Sequence, residues 1–368
     1  MRRLLLIGAG HASAELLRRW AAAPLRDVEI TLVSPDSLAP YSGMVPGWLA
    51  GEYAWQECCI DFARLAARAG ARIVADRVVA LDAHRREVLL TDGAVLGADA
   101  MVLNIGSTVR TPGPSSGPGP RLLPTRPLAS LRDSVDALSH GWQDAPSAPE
   151  LVGVGGGAAG VETLLALRRR MLDAGLAPRC TLLTRDGEPL RGLHARARRL
   201  AHAALTRAGV AVRGGFEVQA IQPGRLLGRE GQVQAADVVL WAAGAVAHDW
   251  PAASGLEVDA AGFVRIDSAL RSTSHPWLFA VGDCAACDPP LPKAGVYSVR
   301  MGPVLAHNVR AMFSGHGLHA FRPQRHRLVL LNTADGSAVA SRGRLSAAGP
   351  WAMRWKHSID RDFVQRYR

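Results

Sequence analysis

At 368 residues with 48% apolar content, the chain is long enough for two or three domains with cores of their own, and nothing in it reads as disordered or collagen-like. Its 43 basic and 32 acidic residues leave a formal charge of +11, yet the only lysines are Lys293 and Lys356, so the excess is arginine spread over the surface; with no aromatic-basic motif, no nucleic-acid partner is expected. Five cysteines without a repeated spacing make no secreted disulfide framework, which points to a reducing cytoplasm, and no metal-ligand pattern stands out.

Met1-Arg2-Arg3-Leu4-Leu5-Leu6-Ile7 has the look of a signal-peptide start, but the apolar run breaks at once into Gly8-Ala9-Gly10 and is better read as a first strand. No stretch reaches the roughly 18 to 20 consecutive apolar residues of a membrane span. Leu4-Leu5-Leu6-Ile7 is short enough for a buried parallel strand; the turn Gly8-Ala9-Gly10-His11-Ala12-Ser13 and a helix over 14–20 follow. Glycines in such a turn let the backbone approach a pyrophosphate, whose charge sits on the amides and dipole of the next helix. Gly8, Gly10, His11, Ala12 and Ser13 are therefore candidate nucleotide-binding residues. The segment 28–33 is a second strand ending at Ser34, with Asp36 just beyond, where such folds carry an acid for the ribose; a hydroxyl still bonds it. A helix over 62–69 closes at Gly70, and 71–79 and 87–90 suggest small antiparallel strands. A strand over 100–105 ends at Gly106, and 111–127, rich in Pro, Gly and Ser, reads as a linker.

The theme restarts at Leu151-Val152-Gly153-Val154. Gly155, Gly157 and Gly160 form a second nucleotide turn, followed by a helix over 161–172, a strand over 180–183 and a strand over 238–241 whose end at Gly244 echoes Gly106. At the end of 180–183 stand Thr184-Arg185-Asp186. An acid there favours NADH and an arginine the 2′-phosphate of NADPH; Arg185 leans toward NADPH. A late strand over 277–281 runs into Gly282-Asp283 and is most economically placed back in the first domain, before a helix over 296–313. The tail holds a hairpin, 328–332 with 337–341 around Asp335-Gly336, and then residues 351–368.

The whole pattern resembles the flavoproteins with two dinucleotide-binding domains. Pro40-Tyr41-Ser42-Gly43-Met44, Ile60-Asp61, Gly282-Asp283-Cys284-Ala285, Pro292-Lys293-Ala294-Gly295-Val296-Tyr297 and Trp355-Lys356 with Asp360-Arg361 and Phe363 resemble one branch, the pyridine nucleotide-disulfide oxidoreductase-like proteins related to type II NADH dehydrogenases, sometimes fused in front of selenophosphate synthetase. The sequence ends where the fused synthetase would begin, as in a stand-alone version. The resemblance implies an α/β fold of two Rossmann-like, glutathione-reductase-like domains, the second inserted in the first. The expected boundaries are 1–115 and 263–320 for an FAD-binding domain, 120–262 for an NAD(P)H-binding domain, and 321–368 for a small C-terminal region. It also implies hydride transfer from NADH or NADPH to FAD. Pro40, Gly106, Gly244 and Gly282 join the cofactor-binding residues, with Asp283 accepting hydrogen bonds from ribityl or phosphate-bridging groups. The candidate catalytic residues are Tyr41, Glu162 and Lys293. Lys293, at the start of a helix aimed at the flavin, is either its nearest cation or an exposed lysine. Glu162 either orients the nicotinamide carboxamide or is a first-turn acid favoured by the helix dipole.

Several positions depart from that branch's relatives. Where disulfide reductases carry paired cysteines, this chain has Tyr41-Ser42-Gly43-Met44-Val45-Pro46, so no flavin-disulfide relay is expected. Cys58-Cys59 read as buried or half-buried thiols, Cys284 as a packing residue beside Cys287, and Cys180 as core. Where type II NADH dehydrogenases place two quinone-contacting glutamines stand Val296 and Arg300, which leaves quinone, a sulfur or selenium species, and oxygen as acceptors, with Tyr297 and Arg300 facing a smaller or anionic one. Trp351, Trp355, Ile359, Phe363 and Tyr367, flanked by arginines, make either a stripe packed on the chain itself or a membrane-surface helix. A different class of function is a flavin-containing partner of a selenium- or sulfur-handling enzyme with little turnover.

Overall fold

The computed structural model of the protein describes residues 1–112, 119–142 and 148–368. Its frame is two five-stranded parallel sheets built to one plan. The first runs in the order Leu278–Ala280, Ala100–Leu103, Arg2–Ile7, Val28–Val33, Arg72–Val74, and the second Arg121–Pro124, Val238–Trp241, Glu150–Val154, Arg179–Thr184, Val210–Gly214. Parallel strands covered on both faces need continuous apolar runs, and Leu4 to Ile7 and Ala100 to Leu103 are all buried. The α/β class of two Rossmann-like folds is what the sequence predicts.

The correspondence extends to the glycine turns. Gly8 (φ +98°) and Gly155 (φ +120°) leave their strands in a conformation that only glycine adopts cheaply, and a Cβ on either would lie 2.6 Å from a carbonyl oxygen of the neighbouring strand end, Asn104 or Ala242. Helices His11–Ala22 and Ala158–Asp173 start at these turns, three residues earlier than the periodicity suggests, because their first turns carry small residues, Ala12 and Ser13 in one and Ala158, Ala159 and Gly160 in the other, rather than large apolar ones.

Three expectations change. Residues 71–79 are two elements: Arg72–Val74 completes the first parallel sheet, while Val78–Asp82 opens a three-stranded antiparallel sheet with Glu87–Leu90 and Val95–Gly97. The segment 111–127 is not all linker: Arg121–Pro124 is the edge strand of the second sheet, a position that tolerates its proline, and residues 113–118 lie outside the described residues. The C-terminal hairpin gains a third strand, so Leu328–Asn332, Ala338–Arg342 and Leu345–Gly349 form one antiparallel sheet ahead of helix Pro350–Gln365.

That last helix does not bury a stripe at intervals of four. Each four-residue step overshoots a full turn by about 40°, so residues 351 to 367 drift around the axis. Trp351, Trp355 and Ile359 face solvent, whereas Phe363 and Tyr367 are buried. The inward side carries Lys356 and Asp360, only 7% and 5% exposed, with Lys356 Nζ donating to Asp360 Oδ2 at 2.7 Å and to the Gly43 carbonyl at 2.6 Å. Removing one partner of such a buried pair typically costs about 3–5 kcal/mol.

Beside this pair, Glu162 Oε1 accepts the Asn332 backbone N–H at 2.7 Å, and the Asn332 side-chain amide donates to both Glu52 oxygens at 3.2 and 3.1 Å. One buried polar cluster thus joins the first fold (Gly43, Glu52), the second (Glu162) and the C-terminal region (Asn332, Lys356, Asp360). Burial pushes the Glu162 carboxyl up to about 7 against the opposing pull of Lys356. The fold therefore favours protonated Glu162, and its contribution to stability is lost as pH rises from the ordinary carboxylate range through about 7. Between about pH 5 and pH 8, E162Q should gain melting temperature relative to the parent. A constant gap between the two melting curves would show that Asn332 and Lys356 already offset the buried charge.

Candidate nucleotide-binding site

A cleft of about 460 Å³ opens at the carboxyl ends of the first sheet's strands, where ligands of open α/β sheets bind. Gly8, Gly10 and His11 form its floor at the start of helix His11–Ala22. Ser34, Pro35, Asp36, Pro40, Ser42, Gly106, Ser107 and Asp283 also line it. Gly295 and Ser298, in the first turn of helix Gly295–Ser314, also face it, so two helix N-termini converge on the cleft. Space lies open beyond Gly106, where an added Cβ would meet nothing within 4 Å.

Of the residues expected here, Gly8, Gly10, His11, Ser34, Pro40, Gly106 and Asp283 line the cleft. Ala12, Ser13 and Gly282 sit just behind it. Ser13 occupies the place of the third glycine, and its hydroxyl donates to the Gly8 carbonyl at 2.9 Å and to Asn104 Oδ1 at 3.2 Å. Tyr41 stands at the rim, its ring 4.2 Å from that of Phe363 and 5.3 Å from that of His11, which lies 5.6 Å from Phe363. Burial holds His11 down at about 4 and raises the Tyr41 phenol, so both are neutral at physiological pH. Glu162 lies within electrostatic reach of Tyr41 but is tied to Asn332.

Lys293 is neither exposed nor part of the cleft wall. Its Nζ donates to the Ala285 carbonyl at 2.7 Å and sits 3.6 Å from the Phe263 ring centre, so its charge is met by these two groups. The cation beside Asp283 is Arg126, whose guanidinium lies 3.1 Å from Asp283 Oδ2 and donates to Ser107 Oγ. Sequence reasoning missed Arg126 because it stands in a segment taken for a linker. Tyr297 is also placed differently: it is core, while Arg300 is exposed.

At the second turn, Gly157 and Gly244 border open space, whereas Gly160 supports the turn from beneath, a Cβ there falling 2.0 Å from the Gly155 carbonyl oxygen. Arg185 is exposed one residue past the strand Arg179–Thr184. Leu190, buried and left-handed (φ +59°), donates its N–H to the Gly156 carbonyl at 2.7 Å and sends Arg191 back to Asp186 at 3.2 Å. Both arginines therefore stand on one loop fastened to the glycine turn.

All five cysteines are free. Burial pushes Cys58 up to about 12 and Cys59, Cys180 and Cys284 up to about 11, and also raises Cys287. Among the described residues, no cysteine lines the cleft.

The family model for pyridine nucleotide-disulphide oxidoreductases matches residues 2–312. An NADH dehydrogenase-like protein of Mycobacterium tuberculosis is 30% identical over 78% of this chain and 73% of its own length. The fold is similar to that of the sulfide:quinone oxidoreductase of Aquifex aeolicus, with a TM-score of 0.81 and 16% identity over the whole of this chain and 92% of that one. It is also similar to an engineered water-forming NADPH oxidase bound to NADPH, with a TM-score of 0.73 and 18% identity over 92% of this chain and 74% of that one. The family match over most of the chain, on two parallel sheets built to one plan, shows that the chain belongs to the pyridine nucleotide-disulphide oxidoreductases as a flavin-dependent NAD(P)H oxidoreductase using FAD and a nicotinamide dinucleotide.

Proposed function

We propose that the chain takes hydride from NADPH and passes the electrons from its flavin straight to a small acceptor, with no thiol in between. The observation that carries this is the placement of the cysteines: all are free, held protonated by burial, and absent from the cleft wall. FAD, when bound, supplies the step between a two-electron hydride donor and acceptors of either electron count. The residues present fit it. Gly8, Gly10 and the first amides of helix His11–Ala22 would take the pyrophosphate, Ser34 a ribose hydroxyl and Asp283 ribityl hydroxyls. The N-terminus of helix Gly295–Ser314 would favour negative charge on the reducible ring, a role the displaced Lys293 does not fill. Tyr41, at the rim, and Glu162, in the buried cluster within its electrostatic reach, are the groups we assign to nicotinamide positioning. Quinone, sulfur or selenium species and oxygen are the acceptor classes to separate. In an anaerobic screen with flavin absorbance as readout, NADPH should bleach the protein and one class should restore its colour at equal rates in the parent, C58A/C59A and C284A/C287A. Loss of reoxidation in either double variant alone would restore a thiol relay.

The preference for NADPH rests on Arg185 and Arg191. The engineered NADPH oxidase is described by substitutions that remove an aspartate, place an arginine at the next position and add another six residues on. Thr184, Arg185 and Arg191 stand at that spacing here, and Asp186, occupied by Arg191, is not free to repel a phosphate. R185E and R191A should each lower kcat/KM for NADPH roughly tenfold more than for NADH, the size of one charge-assisted hydrogen bond. Equal losses with both coenzymes would remove this assignment.

The C-terminal helix supports a lipid-surface contact during turnover. Trp351, Trp355 and Ile359, with Leu345 nearby in sequence at 79% exposure, form an apolar outward row accompanied by exposed Arg342, Arg344, Arg354 and Arg361. Among the described residues no helix is long and apolar enough to cross a membrane. The protein should sediment with anionic but not with neutral vesicles, and W351S/W355S should stay in the supernatant; a parent that stays there too would end this part of the proposal.

A further inference from the structure

The first nucleotide cleft is not walled by the first fold alone. The chain leaves that fold through Thr108 and returns through Val246, and these two crossing segments are zipped by a pair of backbone hydrogen bonds, Thr108 N–H to Val246 O at 2.8 Å and the reverse at 2.9 Å. The path into the second sheet continues through Arg121–Pro124, which pairs with Val238–Trp241, and Thr125 is fastened to the Trp241 carbonyl by its N–H at 2.9 Å and its hydroxyl at 3.1 Å. One residue after this anchor, Arg126 reaches back over the first cleft to Asp283. On the return path His248 and Trp250 border the same cleft.

Both polar side chains lack their best partner. The Arg126 and Asp283 side chains are only 27% and 17% exposed, so the guanidinium occupies the carboxylate that the bound cofactor's hydroxyls would use. His248 Nε2 is shielded from solvent and has no hydrogen-bond partner, a costly state for a ring nitrogen at a cleft wall. Burial keeps the imidazole neutral at physiological pH, and with its one N–H directed to the Ile105 carbonyl, Nε2 is left as an acceptor for a cofactor hydroxyl.

We propose that Arg126 and His248, carried by the two segments that tie the second nucleotide fold to the first, close over the cleft and grip the polar middle of FAD, its diphosphate and ribityl chain, so that the flavin itself fastens the two folds together. This rests on the assignment of the cleft to FAD. On binding, Arg126 turns from Asp283 to the diphosphate, Asp283 is released to accept from ribityl hydroxyls, and His248 Nε2 acquires the partner it lacks. The clamp adds a cation to a site whose other phosphate donors are backbone amides, so it makes FAD affinity sensitive to salt.

The test is FAD titration of the full-length apoprotein, followed by quenching of FAD fluorescence, with the melting temperature of each apoprotein as a control for folding. R126Q and H248A should each weaken FAD binding by roughly tenfold, H248Q, whose amide oxygen keeps an acceptor near Nε2, should recover most of the loss, and R126Q should flatten the salt dependence seen in the parent. Wild-type affinity in R126Q and H248A would overturn the clamp while leaving the flavin assignment intact. A parent that binds no FAD would overturn the assignment itself. Should H248A not fold, H248Q and R126Q still decide: a salt slope unchanged by R126Q contradicts the proposal.

Discussion

One buried amide holds the first nucleotide fold in register. Asn104 follows the strand Ala100–Leu103, which lies between the central strand and the returning one; its side-chain oxygen accepts the Ser13 N–H at 3.1 Å and the Ser13 hydroxyl at 3.2 Å, and its side-chain nitrogen donates to the Val281 carbonyl at 3.2 Å. The glycine turn closes over the same residue: a Cβ on Gly10 would fall 2.3 Å from Asn104 Oδ1, and one on Gly8 2.6 Å from its carbonyl oxygen. Glycine turn, the strand Ala100–Leu103 and the returning strand are therefore one unit, and the position of Asp283 follows from it. A buried amide with both ends satisfied specifies geometry in a way an apolar side chain cannot, because any shift leaves a polar group unpaired. In the second fold the equivalent residue is Ala242 and the third turn residue is Gly160, so the contact there is backbone against backbone. The serine that weakens the first glycine fingerprint is thus the partner that Asn104 needs.

Strand runs, glycine turns and the late return of Leu278–Ala280 were legible because each is a local signal: a short apolar run followed by residues that tolerate an unusual backbone. Arg126 was not legible. Its neighbours, rich in Pro and Gly, mark a connection, and nothing local says that the connection is pinned to Trp241 on one side and leans on Asp283 on the other. Lys293 misled for the opposite reason. Its position before helix Gly295–Ser314 aims a lysine toward the cleft, but a desolvated ammonium takes the available carbonyl and aromatic face, and Ala285 and Phe263 supply both. The spacing of Arg185 from Arg191 was present in the sequence, whereas the left-handed Leu190 that turns the second arginine back needed coordinates.

The C-terminal region shows how one helix serves two environments. Its inward side supplies Lys356 and Asp360 to the polar cluster and Phe363 to the aromatic group around His11, while the drift of a four-residue repeat turns Trp351, Trp355 and Ile359 outward. The same rotation that spoils a single apolar stripe allows the helix to seal the cleft rim at one end and present an apolar row at the other. The preceding strands extend the connection, since Leu328–Asn332 packs on helix Ala158–Asp173 and Leu345–Gly349 on helix Ala195–Arg207, both in the second fold.

The topology makes these parts mutually dependent. The first sheet lacks its fifth strand until the chain has passed through the whole second fold, whereas the second receives its corresponding edge strand, Arg121–Pro124, on the way in. The cleft inherits that asymmetry: its floor comes from the first turn, its acid from the returning strand, two of its polar wall residues from the crossing segments, and its rim from the C-terminal helix. Loop-closure entropy makes contacts so distant in sequence weak one at a time, so the site gains its rigidity from closing all of them together. A ligand that touches every contributor then does more than fill space: it binds the assembled arrangement and not its separated parts, and so stabilises the relative placement of both folds by the full free energy of its own binding.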